Sequence, residues 1–261
     1  MKNLKNSIQS INRAFDILES FTNGRRDLRI TDMSKNLRLH KSTVHRLLST
    51  LEYRGYIHQD TETGKYQLGL KILELNNSLL QQMQLREKTH PFLERLANQS
   101  CETVHLLILD NEEAVYIDKV EYPHTIQLQS YLGKHIPLHA TASGKLLLAN
   151  LAKEEINSII KKKKLTRYTK NTITSPALLK KELRKIKKQD YSLDNVEYEE
   201  NVRCIATSIR DFSGKVIAAL SISGPTMRIK PKRIPFLIKS AQETGIEISK
   251  SLGYDQFKEK L

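Results

Sequence analysis

Cysteine is scarce in this chain, and long apolar runs are absent. The two cysteines, Cys101 and Cys204, are too few and too far apart in sequence for a disulfide framework. The opening residues hold no apolar stretch followed by a cleavage site. The longest apolar clusters, such as Leu146 to Ala149, fall far short of the roughly 20 residues a membrane span needs. These absences point to a soluble, cytoplasmic protein with no membrane partner. Internal repeats are also missing, and the only biased tract is rich in lysine.

Positive charge is present in excess. The formal net charge is +14, which suits a partner rich in phosphate. Only +5 of it falls in residues 1–75, however, and much of the rest lies in Lys161 to Lys188, where a solvated helix face explains it. Nucleic-acid binding therefore has to be argued from pattern.

The first quarter of the chain supplies that pattern. Ile8, Ile11, Phe15 and Leu18 recur at helical spacing, and Asn23 with Gly24 closes a first helix over about Ser7 to Phe21. Thr31 is read as the N-cap of a short helix carrying Met33 and Leu37, with Asp32 in its first turn. After the turn Arg38-Leu39-His40, a third helix runs from about Lys41 to Arg54. Val44, Leu47, Leu48 and Leu51 share one face of it, and Ser42, Thr43, His45, Arg46 and Ser49 share the other. Two helices across a short turn, the second with small polar and basic groups outward, form a helix-turn-helix. Tyr56 to Leu68 then alternates around Asp60-Thr61-Glu62-Thr63-Gly64, a hairpin that reads as a wing. The expected partner is double-stranded operator DNA, contacted by Lys41, Ser42, Thr43, His45, Arg46 and Ser49. Ser42, Thr43 and Arg46 are the preferred contacts, Arg46 through a bidentate bond to guanine.

Leu70, Leu73, Leu79, Leu80 and Met83 mark a helix too apolar to stand free in water, either a connector or a contact between subunits. Pro91 is placed in the first turn of a new helix, with Phe92, Leu93 and Leu96 facing inward. The expected organisation is a winged helix-turn-helix over residues 1–75, a linker helix over 76–88, and an effector-binding and oligomerisation domain over 89–261. Strand-like runs at Val104 to Leu109, Val115 to Val120 and Ile126 to Leu128 open that last domain. A helix follows near Ala142, and runs at Ile205 to Ile209 and Val216 to Ile222 resume the sheet. Strands, helices and strands in that order favour an α+β domain with a mostly antiparallel sheet.

At Thr141-Ala142-Ser143-Gly144, a helix start with small side chains lets an anion approach backbone amides. Ser221 and Ser223, two residues apart in a strand, point to one face. Two other chemistries need the same domain. Cys204 as a nucleophile with His105, His135 or His139 as base would make an enzyme, but no spacing pairs them. His105, His135, His139, Cys101 and Cys204 around zinc would make a metal sensor, but their spacings match no zinc signature. The reading taken is no enzyme, no metal and no cofactor.

Along nearly its whole length the chain resembles the IclR family of bacterial regulators. The matching segments are LRLHKSTVHRLLSTLEYRGYI, LGLKILEL, ETVHLLILD, PLHATASGKLLLA and RCIATSIRDFSGKVIAALSISGP. The resemblance implies a winged helix-turn-helix followed by a GAF-like effector domain, and a dimer or tetramer on DNA. It also implies a transcriptional regulator, read here as a repressor, controlled by a small carboxylate held at Ala142, Ser143, Asp194, Cys204, Ser221 and Ser223. Asn201 stands where the family usually has glycine, and Asn195 and Val196 replace part of an acidic run.

Overall fold

The computed structural model describes residues 7–22, 27–75, 84–125 and 128–254. The chain divides into two compact units, Met1–Met83 and Gln84–Leu261. Among the described residues no helix is long and apolar enough to cross a membrane.

The first unit packs helices α1 (Gln9–Glu19), α2 (Ile30–Leu37) and α3 (Lys41–Tyr53) with the antiparallel hairpin β1 (Ile57–Gln59) and β2 (Tyr66–Leu68). Its core joins Ile17, Phe21, Leu28, Met33, Val44, Leu48, Leu51, Ile57 and Tyr66. Side chains of this size contribute about 1.5–3 kcal/mol each on full burial. Arg38 ends α2 in the left-handed region at φ 53°, and Ser34 Oγ donates to the Leu39 carbonyl, which fixes the turn into α3. Asp60 Oδ1 accepts from the amides of Glu62 and Thr63 and closes the hairpin tip.

Two expectations fail here. The N-cap of α2 is Arg29, with Thr31 inside the first turn, and Asp32 alone supplies the negative charge that favours the helix start. On α1 the stripe Ile8, Ile11 and Phe15 is 61%, 49% and 57% exposed, while Ile17 is fully buried. The core is reached by a different face of α1 from the one the spacing emphasised. Residues 71–75 are helical, and Leu79, Leu80 and Met83, like Asn23 and Gly24, lie outside the described residues.

The second unit carries α4 (Gln84–Ser100), β3 (Thr103–Asp110), β4 (Glu113–Val120), β5 (His135–Ile136), α5 (Ala142–Ala149), α6 (Lys153–Lys162) and α7 (Pro176–Gln189). It continues with β6 (Tyr191–Asn195), β7 (Val202–Arg210), β8 (Val216–Pro225) and α8 (Ile234–Ser251). The six strands form one antiparallel sheet in the order β5-β4-β3-β8-β7-β6, so the unit is α+β with the predicted sheet type. One face receives α5, whose Leu146, Leu147 and Leu148 meet Leu107, Ala206 and Ala219, together with Leu179, Leu183 and Ile186 of α7.

Pro91 lies inside α4 rather than in its first turn. The helix runs on through the proline because both halves are anchored. Arg86 and His90 ahead of it bond the buried Asp118 of β4 at 3.2 and 2.7 Å, and Leu93, Leu96 and Ala97 behind it are buried. Phe92 is only half-buried. The third expected strand is also absent as written, since Leu128 belongs to no strand and Ile126 and Gln127 lie outside the described residues. The partner of β4 on that side is β5, where Ala114 faces Ile136 and Val115 faces His135.

Candidate functional site

Helix α3 presents two unlike faces because its apolar residues fall at i, i+4 and i+7. Val44, Leu48 and Leu51 are buried, which turns Lys41, Ser42, His45, Arg46 and Ser49 outward, all exposed, with Thr43 half-buried. The helix has no side-chain cap and no acidic residue in its first turn, so its N-terminal dipole is left uncompensated. Ser49 Oγ donates to the His45 carbonyl, which leaves its lone pairs as acceptors.

In the second unit the sheet register assembles the other site. Asp194 of β6 faces Cys204 of β7, and Cys204 faces Ser223 of β8, so three of the four proposed side chains stand in one row. The next row on the same face runs Ser192, Ala206, Ser221 and His105. Ser221 and Ser223 share a hydrogen bond of 3.3 Å. Helix α5 packs against β6, β7 and β8, with Thr141 Oγ1 capping the Gly144 amide. The amides of Ala142 and Ser143 have no acceptor among the described residues.

A cavity of about 30 Å³ opens beside this row, with Asp194, Cys204, Ser223, His105, Tyr116 and Tyr198 among its walls. Ala142, Ser143 and Ser221 are buried but do not line it. A cleft of about 460 Å³ between β7 and α8 is larger. Of its two carboxylates, Asp190 and Glu243, the first already accepts from Ser208 and Arg210.

Burial governs the electrostatics of the small cavity. Asp194 is pushed up to about 7, chiefly by loss of water and further by the nearby Glu197, against the lowering effect of the Glu197 amide and Lys145. Burial likewise raises the Cys204 thiol and the Tyr116 phenol, Cys204 also feeling the Asp194 charge. His105 is lowered to about 3 by burial and by Lys119 and Lys134. The buried walls Asp194, Cys204, Tyr116 and His105 are therefore neutral or nearly so at neutral pH, while Lys134 and Glu199 also line the cavity. Behind them Lys145 donates to Glu197 Oε1 at 2.5 Å and to the Leu193 carbonyl at 2.9 Å, which ties α5 to the loop after β6.

Residues 77–250 match a family model described as the bacterial transcriptional regulator IclR C-terminal domain, and residues 10–61 match the IclR helix-turn-helix domain. The chain belongs to the IclR family of bacterial transcriptional regulators. It is 39% identical over 247 residues to the HTH-type transcriptional regulator XynR of Escherichia coli (strain K12), covering 95% of this chain and 98% of that one. The crystal structure of Thermotoga maritima IclR superposes with a TM-score of 0.79 at 33% identity, over 95% of this chain and 100% of the other. An IclR homolog complexed with 4-hydroxybenzoate, from Microbacterium hydrocarbonoxydans, gives 0.82 at 25% identity, over 94% and 99%.

The thiol of Cys204 is held protonated, and His105, the histidine lining the same cavity, gives its Nε2 to Ser130 Oγ at 2.8 Å. Among the described residues no three His, Cys, Asp or Glu side chains gather as metal ligands. Asn201 adopts φ 61°, a conformation asparagine tolerates where glycine is usual. Val196 adopts the same φ, and for a β-branched residue that is strained. Lys145, Glu197, Tyr116 and Tyr198 escaped the sequence reading. Lys145 carried a signal, because a lysine next to the apolar run Leu146 to Ala149 needs a buried carboxylate partner.

Proposed function

We propose that this IclR-family protein is a repressor that binds operator DNA through α3 and changes affinity when a small carboxylate occupies the cavity beside β6, β7 and β8. Support for an acid effector comes first from the row Asp194, Cys204 and Ser223, which meets a cavity that Lys134 and Glu199 also line. The amides of Ala142 and Ser143 are the anion site, supplying donors without a basic side chain. Ser221 and Ser223 bond the remaining oxygens. The cavity, near 30 Å³, is small, which favours acids of two or three carbons, bearing a 2-oxo or 2-hydroxy group, over larger ones. The bound 4-hydroxybenzoate of the Microbacterium relative is also a carboxylate.

Lys41, Ser42, Thr43, His45, Arg46 and Ser49 contact the DNA, and the protein acts as a dimer or tetramer. The exposed stripe Ile8, Ile11 and Phe15, with Leu70, Leu73 and Leu75 at 77%, 57% and 50% exposure, favours self-association. Calorimetry on the full chain with glyoxylate, pyruvate and L-lactate tests the effector reading. Heat from at least one of them, at a stoichiometry of one per chain, is expected. No heat from any of the three would overturn it.

A further inference from the structure

Unpaired buried polar atoms are rare in folded proteins, because each loses its hydrogen bonds to water and gains none in return. Among the described residues three such side-chain atoms stand out: His105 Nδ1, Ser192 Oγ and Glu197 Oε2. Two of them belong to one row of the sheet, His105 at one end and Ser192 at the other, with Ala206 and Ser221 between. His105 also lines the small cavity.

The imidazole of His105 is fixed. The residue is 1% exposed, its Nε2 is bonded to Ser130 Oγ, and its ring lies 4.8 Å from that of Tyr116. Rotation to satisfy Nδ1 would break the Ser130 bond. Burial and the two nearby lysines keep the ring neutral, so it offers a hydrogen bond and no charge. A carboxylate gains most from the α5 amides, and a neutral nitrogen suits a neutral oxygen.

We propose that His105 is a specificity-determining contact of the effector site, its Nδ1 hydrogen-bonding the oxo or hydroxyl oxygen on the carbon next to the effector's carboxylate. The proposal rests on the effector reading of the cavity and adds to it the group that separates 2-oxo and 2-hydroxy acids from plain ones.

The geometry of the imidazole supplies the test. In His105→Asn the side-chain amide falls near the position of Nδ1, whereas in His105→Gln it falls near Nε2 and keeps the Ser130 bond. Calorimetry on the full-length variants, with melting curves to confirm the fold, compares pyruvate and L-lactate with propionate. The wild type is expected to prefer the first two. His105→Gln loses about tenfold in affinity for pyruvate and L-lactate, the worth of one hydrogen bond, and leaves propionate unchanged. His105→Asn keeps the preference to within about threefold. A preference kept by the Gln variant, or lost equally by both, would overturn the role of Nδ1 while the cavity reading stood. A wild type that binds none of these acids would remove the cavity reading and the His105 contact with it.

Discussion

Lys145, buried in the apolar helix α5, holds Glu197 at 2.5 Å across the space between that helix and the loop after β6. The pair does two jobs. It neutralises two charges in a dry interior, and through the Glu197 amide, which donates to Asp194 Oδ1 at 2.6 Å, it sets the position of the Asp194 carboxylate. Breaking one partner leaves the other charge buried alone, which costs about 3–5 kcal/mol. Lys145→Met should lower the melting temperature sharply, and Lys145→Met with Glu197→Leu should recover much of the loss. Equal melting of the single variant and the wild type would show that the pair contributes nothing.

Asp194 gives the site a pH dependence. Its carboxyl titrates near 7 when folded against an ordinary 3.8, so between those values the folded chain holds a proton that the unfolded chain has released. Stability from this group is therefore full below about pH 4 and declines as pH rises through about 7. Glu197, also raised by burial, adds in the same direction. The ionised carboxylate would also repel an acid effector. Asp194→Asn, which keeps the oxygen that accepts from Glu197, should flatten the stability profile between about pH 4 and 7 and the effector-affinity profile around pH 7. Superimposable profiles for variant and wild type would contradict this.

The outward stripe of α1 makes a separate claim. Phe15→Glu places a charge among Ile8, Ile11 and Phe15 without touching the core residue Ile17. Sedimentation should then show a smaller species than the wild type at micromolar concentration, with an unchanged helical signal. An unchanged assembly would move the interface elsewhere.

Much of the fold was legible in the sequence, and its failures have physical reasons. Helix α3 could be read because a turn and an apolar face coincide within a few residues, and α5 because the cap Thr141 stands just ahead of an apolar run. Helix α7 could not. Leu179, Leu183 and Ile186 form its core stripe, but six cations surround them and the tract reads as a charged surface. Periodicity found the stripe on α1 without saying whether the same chain covers it. The two serines of β8 could be placed on one face by strand alternation alone. Asp194 stood beyond that reach, because its place opposite Cys204 depends on the pairing of β6 with β7, a long-range contact that no local pattern encodes.

Arg46 separates base reading from general attraction to phosphate. Arg46→Ala should weaken operator binding by about 1–3 kcal/mol and relax preference at one base pair, with the fold intact. Gel shifts over a salt series check it. Unchanged affinity and sequence preference would remove Arg46 from the interface.

Operator release joins the two halves of the chain in one titration. Labelled DNA from the region upstream of the protein's own gene is bound by the full-length wild type and by Ser221→Ala/Ser223→Ala, and glyoxylate, pyruvate or L-lactate is added while anisotropy is followed. An effector shifts operator affinity only by as much as it prefers one DNA-competence state over the other. The account predicts that the wild type releases the operator as one of these acids rises, and that the double variant, equally tight on DNA, needs about ten times more acid or does not respond. Identical acid titrations for wild type and double variant would contradict it.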